Sequence, residues 1–255
     1  MSLLTLYHHP LSVCSMKVRL ALEEKGLDWS SRIVDIVREQ EQLEPWYIKL
    51  NPNGVIPTLE ISNGTTEVVT NSASIIRFIA TLPEGNSLSP TDKNDVQLMD
   101  KLIDLADEID LQILSYARHP SMEKSEKILD TRINKSLLLA EQHPELRNNY
   151  LACAARSEKN KTFRVDEKHI KDIEQKAVES LSFAEKKLNG NIFLLGDRYS
   201  LADVIWTVVL SRLDLLGYTD WVDGNRFPLL GSYYQRAQDR KSFTLAQIQN
   251  EWWDK

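Results

Sequence analysis

Cysteine is scarce in this chain of 255 residues: only Cys14 and Cys153 are present. So few thiols exclude a disulfide framework and point to a reducing, cytosolic setting. Two cysteines with five scattered histidines show no metal-ligand spacing, so no metal is expected. No apolar run approaches the length of a membrane span. The N-terminus enters a strand pattern directly, without a basic region followed by a long apolar stretch, so no signal peptide is read. Lysine and arginine are dispersed and the formal net charge is −6, which argues against nucleic-acid binding. No internal repeat or low-complexity tract is seen. What remains is an ordinary globular composition, 42% hydrophobic and 27% charged, long enough for one large domain or two small ones.

The first third alternates strand and helix. Residues 3–7 read as a strand, and Val13–Lys25 as a helix ended by Gly26. A second strand lies within 29–36, and residues 39–50 are charged with weak helical periodicity. Residues 56–61 form a third strand entered through Pro57. Asn63-Gly64 marks a hairpin turn leading to a fourth strand over 67–70. Asn71-Ser72 then caps a helix bearing Ile75, Ile76, Phe78, Ile79 and Leu82. That order predicts a thioredoxin-like α/β domain over 1–83. Residues 83–87 read as a linker, and 89–255 as an all-helical bundle. The pattern predicts one long helix over 96–116, a polar stretch over 119–168, an amphipathic helix over 165–188, a strongly apolar segment over 200–216 and a final helix over 228–240. The fold class is α+β.

Several motifs bear on chemistry. Ser12-Val13-Cys14-Ser15 sits where the first helix begins, and a helix N-terminus offers unpaired N–H groups that stabilise an anion. Ser12 and Cys14 are therefore candidate activating groups; the alternative is a capping serine beside a half-buried cysteine. In Asn51-Pro52-Asn53-Gly54-Val55-Ile56-Pro57-Thr58, a cis bond before Pro57 would turn the Ile56 backbone toward an extended ligand; the alternative is a proline opening an edge strand. Thr70-Asn71-Ser72 suits a carboxylate held on backbone N–H and hydroxyl, or is an ordinary cap. Ser200 and Asp203 have the spacing of a capping box, with Tyr199 and Val204 as its hydrophobic staple, and are structural under any reading.

In this order and spacing the motifs resemble the glutathione transferase superfamily along essentially the whole chain. Ser12-x-Cys14-Ser15 followed by Lys17-Val18-Arg19 is similar to the zeta-type branch. Thr70-Asn71-Ser72, Pro144-Glu145-Leu146-Arg147, residues 202–208 and Tyr233-Tyr234-Gln235-Arg236 are similar to the tetrachlorohydroquinone reductive dehalogenases within it. The segment over about 119–165 is longer than in most of the superfamily. It also resembles the inter-helix segment of the ganglioside-induced differentiation proteins.

The resemblance implies glutathione as co-substrate, a homodimer, and attack of glutathione thiolate on a small hydrophobic electrophile. Ser12 would donate to the glutathione sulfur. The Ile56 backbone would pair with its cysteinyl part, and Ser72, backed by Asn71, would hold the γ-glutamyl carboxylate. Gln42 would face the glycyl end. Asn71 departs from the usual acidic residue and implies weakened glutathione binding. Cys14 permits reductive dehalogenation through a mixed disulfide, or is structural, as it can be in a double-bond isomerase. A non-catalytic binding protein is the alternative of another class. Leu11 and Tyr116 are expected in the substrate wall, with Trp252 and Trp253 covering it or packing the C-terminus. Cys153 is read as incidental.

Overall fold

In the computed structural model, which describes residues 3–248 and Trp252, four strands form one sheet. They are β1 (Leu3–His8), β2 (Ser30–Ile33), β3 (Thr58–Ser62) and β4 (Thr66–Thr70), in the order β2-β1-β3-β4. β1 pairs in parallel with β2, and the other two pairs are antiparallel. The parallel pair needs a crossover, supplied by α1 (Val13–Lys25). Gly26 ends α1 at φ 74°, a left-handed position that glycine takes without steric cost. The second connection carries a 3-10 turn (Glu41–Leu43) and α2 (Pro45–Leu50), and α3 (Ser72–Thr81) follows β4. This is the thioredoxin-like arrangement.

From Lys93 onward the chain is helical: α4 (Lys93–Asp107), α5 (Leu111–Ala117), α6 (Met122–Gln142), α7 (Arg147–Phe163), α8 (Glu167–Lys187), α9 (Leu201–Leu215), α10 (Thr219–Val222), α11 (Pro228–Gln238) and α12 (Lys241–Leu245). The single helix expected over 96–116 is two. Asp110 breaks it because its carboxylate accepts from the Ile113 N–H at 2.9 Å and starts a new helix. The polar stretch is a helical hairpin, α6 against α7.

One apolar core runs through both halves. Leu6, Val18, Leu22, Leu59, Ile75, Ile76 and Ile79 are continuous with Leu102, Ile103, Val204, Trp206 and Leu213. The apolar faces of α3 and α4 are spent on this core, and Arg77, Asp100 and Asp104 pair on their outer side.

The box at Ser200 and Asp203 is formed. Asp203 accepts from the Ser200 N–H (2.8 Å), the Ser200 hydroxyl (2.7 Å) and the Leu194 N–H (3.0 Å), and it is fully buried. Burial pushes its carboxyl upward, and these donors oppose that shift. The carboxylate thus ties the loop before α9 to the helix that forms the middle of the core. Asp203→Ala leaves those donors buried without an acceptor. It should cost roughly 3 kcal/mol in urea unfolding, against about 1 for Ser200→Ala. Equal costs for the two variants would deny Asp203 its central place.

Candidate active site at one end of the sheet

Three loops meet at the same sheet end, and strand register brings them there. Tyr7 is opposite Thr58, and Thr58 is opposite Thr70. Continued by one and two residues, that register sets His8 and His9 beside Pro57 and Ile56, and these beside Asn71 and Ser72. The three motifs singled out in the sequence therefore converge although 60 residues of chain separate the first from the last.

Ser12 is the N-cap of α1: its Oγ accepts from the Ser15 N–H at 3.3 Å. Accepting leaves its own proton to donate outward. Cys14 is an exposed free thiol in the first turn. The turn before them is held from behind. His9 N–H donates to Ser15 Oγ (3.4 Å) and Leu11 N–H to His9 Nδ1 (3.3 Å). Arg19, buried on α1, donates to the carbonyls of His9 (3.3 Å) and Pro10 (2.9 Å). Arg212, buried on α9, donates to that of Leu11 at 2.7 Å. Arg19 also bonds the Ala246 (2.8 Å) and Gln247 (3.0 Å) carbonyls, so the C-terminal segment and the turn share one cation.

The Ile56-Pro57 bond is cis. Tyr47 Oη and Asn51 Nδ2 both donate to the Val55 carbonyl, at 2.9 and 2.7 Å, and both meet Thr58 Oγ1. This buried trio fixes the backbone on each side of Ile56. Among the described residues, the Ile56 N–H and carbonyl have no partner in the chain, so they are open to a ligand.

At the third loop Asn71 has φ 71° and ψ 124°, a positive φ outside the left-handed helical region, so its backbone is strained. Its Oδ1 accepts from the Ala73 (2.9 Å) and Ser74 (3.3 Å) N–H groups. The amide oxygen is thus engaged as a cap. Ser72, 8% exposed, begins α3 beside it.

Gln42 lies elsewhere. It is 3% exposed and its Nε2 donates to Gln40 Oε1 at 2.7 Å. Gln40 in turn accepts from Arg132 Nε of α6 at 2.9 Å. Gln42 is therefore packed against Gln40, which the helical hairpin holds, and its own Oε1 is buried without a partner. The cause is the 119–165 segment itself. Arg132 also donates to the Ile36 carbonyl (3.1 Å), and Lys135 to that of Glu39 (2.6 Å). On α7, Asn149 reaches the Pro52 carbonyl (3.1 Å) and Arg156 that of Asn53 (2.6 Å). A second apolar cluster of Leu43, Ile48, Leu139, Ala140, Tyr150 and Cys153 lies beneath these bonds. Cys153, expected to be incidental, packs where a Cβ on Gly54 would come within 2.8 Å of its sulfur. Burial pushes its thiol upward, away from reactivity.

Leu11 is half-buried at the turn. Tyr116 is buried, and its hydroxyl accepts from Arg132 at 3.0 Å. Trp252 packs edge-on against the His119 ring, 4.8 Å between centroids; Trp253 lies outside the described residues. Among the described residues no cluster of His, Cys, Asp or Glu is arranged to hold a metal, and no helix is long and apolar enough to cross a membrane. A separate hollow of about 520 Å³ between the α4–α5 corner and α8 carries Glu108, Asp110, Asp172 and Glu179. Its charge would repel a peptide carboxylate, and it shares no residue with the turn.

Two family models match: the glutathione S-transferase N-terminal domain over residues 11–82 and its C-terminal domain over 167–236. The tetrachloro-p-hydroquinone reductive dehalogenase of Sphingobium chlorophenolicum is 33% identical over 248 residues, 97% of each chain. The chain belongs to the glutathione S-transferase family. A 2,5-dichlorohydroquinone reductive dechlorinase of Sphingobium indicum is 27% identical, covering 96% of this chain and 82% of its own. Among solved structures, a beta-etherase from Sphingobium sp. strain SYK-6 superposes with TM-score 0.72 at 25% identity, covering 95% of this chain and 98% of that one. The α6–α7 hairpin falls between the two matched domains.

Sequence reasoning missed Arg19 and Arg212, because one is buried at a helix position that reads as surface and the other reaches the turn across 201 residues. It also passed over His8, which supports the turn. Arg19 Nη1 lies 3.3 Å from His8 Nδ1, and His8 Nε2 lies 2.8 Å from Ser31 Oγ. Burial, then the charges of Arg19 and His9, lower His8 to about 4. An unfolded histidine titrates near 6.5. Between these values the unfolded chain takes up a proton that the folded chain refuses, so stability is full above about 6.5 and falls as pH drops toward 4. Burial shifts His9 the same way. Urea midpoints at pH 7.5, 5.5 and 4.5 should fall more steeply in the wild type than in His8→Gln. Parallel curves would assign the acid sensitivity to other groups.

Proposed function

We propose that Ser12 and Cys14 divide the chemistry of a glutathione-dependent reductive dehalogenase acting on a small hydrophobic aryl halide. The observation carrying this is the pair itself: a capping hydroxyl with its proton free to donate, and an exposed thiol two residues on, at a helix N-terminus. The reductive dehalogenase at 33% identity over 97% of both chains supports the same reading.

Glutathione lies in extended form along the sheet end, its cysteinyl backbone on the open N–H and carbonyl of Ile56 beside Pro57. Ser72, through its hydroxyl and its own N–H, receives the γ-glutamyl carboxylate. The next two N–H groups of α3 are given to Asn71 Oδ1, so Asn71 contributes by fixing that helix end, and glutathione binding is weaker than with an acidic residue there. Gln42 is too deeply packed to take the glycyl end in this conformation.

Ser12 donates to the glutathione sulfur and, with the helix dipole, keeps it as thiolate. The thiolate forms a carbon–sulfur bond to the ring as halide leaves. Cys14 thiolate then attacks the sulfur of that adduct. A disulfide forms, and the carbon–sulfur bond breaks with its electron pair going to the ring, which takes a proton. A second glutathione thiolate releases glutathione disulfide and restores Cys14. The net change consumes two glutathiones per halide reduced.

A homodimer follows from family membership, and a reducing, cytoplasmic setting from two free thiols; light scattering and fractionation test these. In a simple transferase or zeta-type isomerase the same pocket operates on Ser12 alone.

Ser12→Ala should slow conjugation of aryl halides about ten- to a thousandfold, the scale for removing one preorganised donor at a developing anion. Cys14→Ser should spare conjugation and stop reduction, so that the glutathione adduct accumulates in the product analysis. Reduction of halogenated quinols by Cys14→Ser at wild-type rate would remove the exchange step. Calorimetry of Ser72→Ala should show weaker glutathione binding at unchanged urea midpoint; unaltered affinity would vacate its assignment.

A further inference from the structure

Arg212 is a buried cation without a counter-charge. It is 3% exposed, in the middle of the most buried helix of the molecule. Its one hydrogen bond is Nη2 to the Leu11 carbonyl at 2.7 Å, three residues before Cys14. Among the described residues no carboxylate pairs with it, and its remaining N–H groups, taken up by no side chain or carbonyl, are not sealed from solvent. Arg19, the other guanidinium behind the turn, differs: His9, Pro10, Ala246 and Gln247 carbonyls all accept from it. A buried charge so incompletely compensated destabilises a fold, and replacement by an apolar side chain of similar volume is often neutral or better. Burial lowers Arg212 to about 10, so it stays protonated at neutral pH. The ionisable group that acts on it through space is Cys14.

We propose that Arg212 is the counter-charge of the Cys14 thiolate, a positioning cation delivered to the turn by the helical domain. This rests on reading Cys14 as the exchanging thiol. Cys14 is exposed, so in the free protein water weakens the pair to an effect of a few-fold on the rates of charged reagents. An adduct seated over the turn displaces that water, and the guanidinium then acts through a medium of lower dielectric. In the exchange, Cys14 sulfur bonds to the glutathione sulfur and the carbon–sulfur bond breaks. The electron pair goes to the ring carbon, which takes a solvent proton. Arg212 keeps its own protons throughout and neither gives nor receives electrons; glutathione is the reductant.

The test compares alkylation of Cys14 by iodoacetate and by iodoacetamide, followed by peptide mass mapping to separate it from buried Cys153. A cation beside the thiolate favours the anionic reagent. The ratio of iodoacetate to iodoacetamide rates should exceed that of free glutathione by about three- to tenfold in the wild type. It should drop toward the free value in Arg212→Met and persist in Arg212→Lys. A wild-type ratio no higher than that of free glutathione overturns the proposal without any variant having to fold. So does a raised ratio unchanged in folded Arg212→Met, which would assign the effect to the helix dipole. Failure of the exchange reading shows separately, as reduction surviving Cys14→Ser; a structural Arg212 would change the urea midpoint but not the reagent ratio.

Discussion

The turn between β1 and α1 depends on carbonyl groups aimed backward into the protein. His9, Pro10 and Leu11 present consecutive carbonyls to two buried guanidiniums, Arg19 from the helix that follows and Arg212 from α9. Peptide carbonyls directed inward must find donors, since an unpaired one costs about as much as a lost hydrogen bond. With them so held, the opposite side of the turn carries Ser12 and Cys14 outward. The same two arginines join parts that are distant in sequence: the C-terminal segment through Ala246 and Gln247, and the bundle through α9. Position of the reactive groups is therefore a property of the whole chain, and either domain alone would leave the turn short of donors.

A second set of donors makes the same connection from the other side. The α6–α7 hairpin grips the loop from Ile36 to Asn53 through its carbonyls, using Arg132, Lys135, Asn149 and Arg156. Those bonds depend on backbone rather than side-chain identity, so the loop can vary in sequence and still dock. Beneath them Gly54 packs closely on Cys153, and the Tyr47–Asn51–Thr58 trio passes the constraint to Val55 and hence to Ile56. The long segment is thus a brace for the backbone around Val55 and Ile56, and Gln42 is buried at its contact.

The parts of this arrangement legible in the sequence are those made by neighbours. The strand, turn and helix around Ser12, the Asn63-Gly64 hairpin, the proline before β3 and the box at Ser200 and Asp203 each rest on contacts within a few residues. Spacing reports such contacts directly. The meeting of the three loops was expected from the family resemblance rather than from spacing, and strand register produces it. Local pattern misled at Asp110, which starts a helix inside an apolar periodicity that continues past it. Asn71 Oδ1 caps its own helix, as its position allowed, whereas the contact of Gln42 with Gln40 was not legible, because nothing in the spacing marks it.

Arginine was the least legible residue type, for a physical reason. A guanidinium on an amphipathic helix reads as solvent-facing, and nothing nearby in sequence marks one that carbonyls will satisfy across 201 or 228 residues. The two cases behind the turn then separate on compensation. Arg19 has acceptors on several sides and explains itself as a structural tie. Arg212 holds the Leu11 carbonyl and has no carboxylate among the described residues; the space proposed for its charge is that beside Cys14. A fold requiring only a tie to Leu11 could take it from a neutral donor at far lower desolvation cost. The charge is accounted for once an anion occupies that space during turnover, and the thiol two residues into α1 is the group placed to become one.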